Sequence, residues 1–299
     1  MNDIEKILVG DLPEDLMVQI LNTVARYSVG LIAINLKDYG EEGIFIGSGT
    51  FIKIDKRFFI LTAAHVISSK IFNGSQAIGL SFSPDVHNFR IDKQYLSICY
   101  EWNKQYQSKG PDLGLIELPL NHIGTIQAKK NFWNLQNQKD IVLGLPYANN
   151  GVWAICGCAH EFTDFKTNER GYSKVMTFHH YLWFSGIESE SVVDDYDYFE
   201  TSVNYESRDD LPKSFGGLSG GGLWQIPLFK QKDGKITFDD PILSGLAFYQ
   251  TEVKNNMRFI RCHGRNSIYL KLPGAPQLAV GNPPYPGGQE SQRPPRRCT

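Results

Sequence analysis

Short runs of strand-forming residues recur along almost the whole chain, and they limit the fold more than any other feature. VGLIAINL, GIFIGSGTFIKI, RFFILTAAHVI, AIGLSFS, YLSICY and DLGLIELPL follow one another between Val29 and Leu120, most of them separated by Gly, Asp, Asn or Pro. After AKKNFWNLQNQKD, which reads as an exposed connection, the pattern resumes with IVLGL, GVWAICGCAHEF, KVMTFHHYLWFSGI, YFETSVNY, GGLW and PILSGLAFY. Many short strands with little helix between them predict an all-β sandwich or barrel, not alternating βα units. The exception lies near the start. In DLPEDLMVQILNTVARY, acids and Pro13 fill the opening turn and Leu16, Ile20 and Val24 recur at helical spacing, so a short amphipathic helix is expected.

The 299 residues suffice for one large domain or two small ones, with a sizeable core. A formal net charge of -2 gives no general attraction to nucleic acid or anionic lipid, so partners must follow from sites. The first residues, MNDIEKILVG, are acidic where an export signal carries positive charge, and no apolar stretch approaches the ~20 residues of a membrane span. A cytoplasmic protein is expected. Five cysteines, Cys99, Cys156, Cys158, Cys262 and Cys298, are too few and odd in number for a disulfide framework. Cys156, Cys158 and His160 alternate along one strand face, but structural zinc sites use wider spacing and a second matching pair. A fourth ligand would have to come from Cys262 or His263, far along the chain, so the cysteines read as small buried residues; no metal and no cofactor are expected.

Segment 273–299 holds seven of the fifteen prolines and no periodic apolar pattern, which predicts a disordered tail. The acidic ESESVVDDYDYFE, Glu188 to Glu200, reads as a solvated loop between strands.

SFGGLSGGGLW, Ser214 to Trp224, sets five glycines around Ser219. Its apolar residues exclude a solvated linker. A phosphate-binding loop requires a lysine after its last glycine, and Leu223 follows instead. What remains is a nucleophile loop whose backbone N–H groups face a developing oxyanion, which requires a histidine and a carboxylate elsewhere. LTAAH supplies His65 at the end of an apolar run, and DLGLIEL sets Asp112 at the head of another.

The order His65, Asp112, Ser219, with gaps of 47 and 107 residues, resembles the trypsin-like serine peptidases of chymotrypsin fold. LTAAH, DLGLIEL and GLSGG look like that family's histidine, aspartate and serine motifs; GSGTF at Gly47 to Phe51 and VLGLP also match. The resemblance covers roughly residues 24–272 and is greatest to small intracellular bacterial members. It implies two six-stranded antiparallel β-barrels, at about 24–125 and 138–272, preceded by a helical segment 1–23 and followed by the tail 273–299. It further implies a catalytic triad of His65, Asp112 and Ser219, an oxyanion hole from the amides of Gly217 and Ser219, and cleavage of a protein or peptide substrate. Lys213 would lie at the floor of the specificity pocket and disfavour basic residues, with Phe248, Tyr249 and Gln250 pairing with substrate. Leu218 stands where secreted members carry an aspartate that pairs with a cut amino terminus, so control would fall to a regulatory partner or be absent.

Two other readings compete. Gly217 to Gly221 also fits G-x-S-x-G, with Asp239 or Asp240 and then His263 in α/β-hydrolase order, but that elbow needs a helix where Gly220, Gly221 and Gly222 follow. A chymotrypsin-fold binding or regulatory module without turnover would carry the same residues.

Overall fold

A computed structural model describes residues 9–37, 40–82, 88–103, 105, 108–145, 152–167, 174–206 and 211–272. The Pro-rich segment 273–299 lies outside them. Helix α1 (Glu14–Ala25) forms where expected and buries Leu16, Ile20 and Val24 as one stripe. Glu14 and Asp15 sit at its positive end, and Lys130 donates from Nζ to the Ala25 carbonyl at the other.

The strands build two large antiparallel sheets. In the first, β1 (Ser28–Lys37), β2 (Gly40–Ile54), β3 (Arg57–Thr62), β4 (Ala77–Ser81), β5 (Asn88–Asp92), β6 (Ser97–Trp102) and β7 (Asp112–Glu117) run in the order β5-β4-β1-β2-β3-β7-β6. Two short helices, α2 (Ala64–Ile67) and α3 (Lys70–Gly74), join β3 to β4. In the second, β9 (Val152–Thr167), β10 (Lys174–Ser185), β11 (Ser189–Val193), β12 (Tyr196–Asn204), β13 (Gly222–Ile226), β16 (Ile242–Gln250) and β17 (Met257–His263) run β10-β9-β13-β16-β17-β12-β11. A hairpin of β14 (Leu228–Lys230) and β15 (Ile236–Phe238) stands apart from both.

Neither sheet is the closed six-stranded barrel expected. Among the described residues no ladder joins β6 to β4, or β10 to β12. The flanking strands explain why: β5 pairs with the free edge of β4 and β11 with that of β12, occupying the edges that closure would use. Six strands of each sheet nevertheless share one pattern. Numbered in chain order without β5 and β11, the first sheet runs 4-1-2-3-6-5 and the second 2-1-4-5-6-3. Closed into rings, these are the same ring opened at different seams.

The connection between the sheets is not an exposed linker. It contains helix α4 (Leu120–Gln127), strand β8 (Trp133–Asn134), which pairs in parallel with β2, and helix α5 (Leu135–Gly144). IVLGL therefore forms helix and not strand: the Asn134 side chain accepts from the Asn137 amide at its start, and Leu135 and Val142 are buried two turns apart. Trp133 is buried at the sheet junction, donating from its indole to the Tyr269 hydroxyl at 2.7 Å and packing edge-on to Trp224.

The acidic run Glu188 to Glu200 is likewise structured. Asp194 and Asp195 both take left-handed backbone angles (φ 49° and 66°), making the tight turn between β11 and β12. The larger core cluster draws on both sheets and α1: Ile20, Leu31, Phe51 and Leu115 pack in one body with Cys156, Trp224, Leu246 and Tyr269. No helix among the described residues is long and apolar enough to cross a membrane.

Candidate active site

His65 and Asp112 are brought together by the first sheet. β3 ends in Thr62, Ala63 and Ala64 are fully buried, and α2 packs on β7 over Gly114, where a Cβ would lie 2.6 Å from Ile67 and 3.4 Å from the Ala64 Cα. That contact sets His65 above Asp112, the first residue of β7. The carboxylate grips the histidine twice: Oδ1 accepts the His65 backbone N–H at 2.9 Å and Oδ2 faces ring Nδ1 at 2.7 Å. The Asp112 side chain is 3% exposed, whereas that of His65 is 35% exposed. An acceptor at Nδ1 places the ring proton there and leaves Nε2 free to take another.

Ser219 arrives from the second sheet, in the turn before β13. Its hydroxyl lies 3.5 Å from the Phe248 carbonyl, and no hydrogen bond to His65 is formed. The two nevertheless share a wall: a Cβ on Gly47 would meet Val66, the neighbour of His65, at 2.9 Å and the Ser219 carbonyl at 3.1 Å.

Ser48, fully buried on β2, holds this turn in place. Its amide donates to the Ser219 carbonyl (2.9 Å) and its hydroxyl to the Gly217 carbonyl (2.7 Å), while accepting from the Cys158 amide (2.8 Å). Its own carbonyl accepts from Thr62 Oγ1 at 2.7 Å. In the sequence GSGTF stands out only as part of a resemblance; the hydrogen bonds that give Ser48 this position span up to 171 residues.

The amides of Gly217 and Ser219 have no acceptor among the described residues. Both peptide planes are pinned from the other side: the Gly216 carbonyl accepts from His160 N and the Leu218 carbonyl from Gly221 N, each at 2.8 Å. Because a trans peptide points its N–H opposite to its C=O, pinning the carbonyls fixes where these amides point. Gly217 makes the turn with φ +90°, a value that favours glycine.

Beside Ser219 lies a cavity of about 30 Å³, lined by Phe215, Leu218, Ala247, Phe248, Gln250 and Ile260, with Tyr249 at its rim. Three of the four expected substrate-contacting residues thus flank Ser219. Lys213 does not. Glu161 accepts its amide, Arg258 donates to its carbonyl at 2.8 Å, and with the main chain held on both sides its side chain turns out to solvent. Gln250 is itself engaged, accepting from Phe215 N and donating to Ser214 Oγ.

His263 joins the site without any signal in the sequence to place it there. At the end of β17 it is fully buried behind Asp112, and its Nε2 accepts the Asp112 backbone N–H at 3.0 Å. The ring packs on Phe248 and Tyr198 at 4.7 and 5.0 Å. Burial, aided by the charge of Arg261, pushes its pKa down to about 3, so it is neutral at ordinary pH with the proton on Nδ1. The unfolded ring binds a proton below about pH 6.5 and the folded ring only near 3. Stability should therefore fall as pH drops through that window, by up to ~1.4 kcal/mol per unit. Urea unfolding from pH 7 to pH 4 measures this, and His263→Gln, which retains an acceptor for Asp112, should flatten the slope; equal slopes would refute the assignment.

Other arrangements find less support. Ser219 leads into strand β13 and not a helix, while Asp239 and Asp240 are exposed and His263 faces Asp112. Cys156 and Cys158 are fully buried, with thiol pKa values pushed up to about 12 by desolvation, and His160 is exposed. Among the described residues no three His, Cys, Asp or Glu side chains gather where they would hold a metal ion. No protein-family model matches the chain, and no curated protein matches it.

Proposed function

We propose that the chain is a serine endopeptidase. The observation that carries this reading is the buried Asp112 carboxylate holding His65 at both backbone and Nδ1, beside a serine turn whose Gly217 and Ser219 amides have no acceptor among the described residues. In this mechanism Nε2 of His65 takes the hydroxyl proton as Ser219 Oγ bonds to a peptide carbonyl carbon. The oxyanion is received by the two amides, and the imidazolium is stabilised by Asp112. The imidazolium then protonates the departing amine as the C–N bond breaks, and water hydrolyses the acyl-enzyme by the same route in reverse. The catalytic power of such a triad rests on its three groups acting as a unit.

The shared ring order of the two sheets supports a chymotrypsin-like pair of six-stranded barrels, each with one seam unpaired. The substrate is a protein or peptide. Leu218 is 2% exposed in the core cluster beneath the serine turn, so no carboxylate stands there to receive an amino terminus. Control then falls to a regulatory partner or to substrate supply.

The absent Ser219–His65 hydrogen bond is the observation that favours a module without turnover, although such bonds often tighten only when substrate binds. A fluorophosphonate probe separates the two. Labelling that disappears in Ser219→Ala is expected; an unlabelled Ser219 in the folded protein would leave the binding module.

A further inference from the structure

We propose that the cavity beside Ser219 is a shallow specificity subsite, floored by Ile260, that takes a small uncharged side chain of the alanine-to-valine class on the acyl side of the scissile bond. This rests on the endopeptidase reading. About 30 Å³ is room for two or three water-sized groups at roughly 10–15 Å³ each, which is the bulk of a methyl or an isopropyl group and less than that of a leucine, phenylalanine or arginine side chain.

The walls are not poised to retreat. Ile260 is 2% exposed, in one buried cluster with Phe215, Leu218 and Ala247. Gln250, the polar group on the wall, is held by Phe215 N (2.9 Å) and Ser214 Oγ (3.1 Å), so it braces the opposite wall. Outside the lining, next to Ile260 along the buried face of β17, lies a cation. Arg258, two residues earlier on the same face of β17, is buried, and its guanidinium donates to the Lys213 carbonyl (2.8 Å) and the Tyr205 hydroxyl (3.3 Å). Among the described residues no carboxylate pairs with it. A longer side chain would have to displace Ile260, and a basic one would then meet Arg258. Discrimination against lysine and arginine is thus expected from Arg258, not from the solvent-facing Lys213.

The test uses the full chain and peptidyl diphenyl phosphonates that differ only in the side chain seated in this cavity: Ala, Val, Leu, Phe, Glu and Lys. Each forms an Oγ–P bond to Ser219 and releases phenol, so the labelling rate reports the fit of that side chain, with Ser219→Ala as the blank. Ala and Val should react about 10-fold or more faster than Leu, Phe, Glu and Lys. Ile260→Ala should raise the Leu-to-Val rate ratio about 10-fold and leave Lys slow. Fastest labelling by Phe, Leu, Glu or Lys in the wild-type chain overturns the inference, as does a Leu-to-Val ratio unmoved in folded Ile260→Ala. A chain that no phosphonate or fluorophosphonate labels instead overturns the endopeptidase reading, and this subsite with it. Reaction with fluorophosphonate but with neither the Ala nor the Val reagent sinks the subsite alone.

Discussion

Ser219→Ala and His65→Ala are each expected to lower turnover by about 10⁶-fold, and the double variant to be hardly slower than either. The reason is chemical. A serine hydroxyl is a weak nucleophile until a base removes its proton, so losing the base forfeits most of what the hydroxyl contributes, and the reverse. In the proposed mechanism Asp112 acts at one remove, through the 2.7 Å contact that sets the tautomer of His65. Asp112→Asn should lower the rate by about 10⁴-fold with the fold intact, because an amide can present N–H to Nδ1 and stabilise the wrong tautomer. Steady-state cleavage of a peptide with Ala or Val before the scissile bond measures all four variants. Losses that simply multiplied in the double variant would show that the two residues act independently and would remove the triad.

Gly220→Ala is expected to destabilise the fold by about 3–5 kcal/mol. Gly220 sits at φ +91°, and an added Cβ would lie 2.0 Å from the Ser48 carbonyl oxygen and 2.3 Å from Thr62 Oγ1. Both are anchored: Thr62 Oγ1 already donates to that carbonyl, and Ser48 is bonded on every side. Gly216→Ala is the control. Its Cβ would meet nothing nearer than Ser214 Oγ at 3.2 Å and its φ is not in the left-handed region, so a change within about 1 kcal/mol is expected. Urea unfolding of the two variants compares them directly; similar costs would show that the turn yields and that the close approach at Gly220 is not a constraint.

The strand runs and the opening helix are legible because each carries its own periodicity. α1 appears where Leu16, Ile20 and Val24 recur, and the glycines after Ser219 lie where two backbones meet. IVLGL misleads for a physical reason: a short apolar run before a turn fits a buried strand or the last turn of a helix equally, and the deciding cap at Asn134 lies upstream. The Asp194–Asp195 turn hides in an acidic run because its left-handed angles are conformational, not compositional. Barrel closure is lost to β5 and β11, whose pairing partners are set by the sheet as a whole. In the site, residue type and order point to His65, Asp112 and Ser219. Counting back from Ser219 reaches Lys213 but does not say which way its side chain faces, a matter settled by Glu161 and Arg258. The sequence brings Ser48 and His263 forward only for other reasons, since their roles here arise from contacts up to 171 and 151 residues away.

The hydrogen bond from Asp112 to His263 also has a meaning in time. Chains are made from the amino end, so His65 and Asp112 leave the ribosome long before the serine turn, and Phe248 and His263 follow after Ser219 itself. A nascent or prematurely terminated chain that stops short of residue 263 lacks a complete β17 and the acceptor behind the carboxylate, and one that stops before residue 260 lacks the floor of the cavity as well. On the endopeptidase reading, completion of synthesis thereby becomes a safeguard: a half-made chain is without the parts it would need to cut its neighbours.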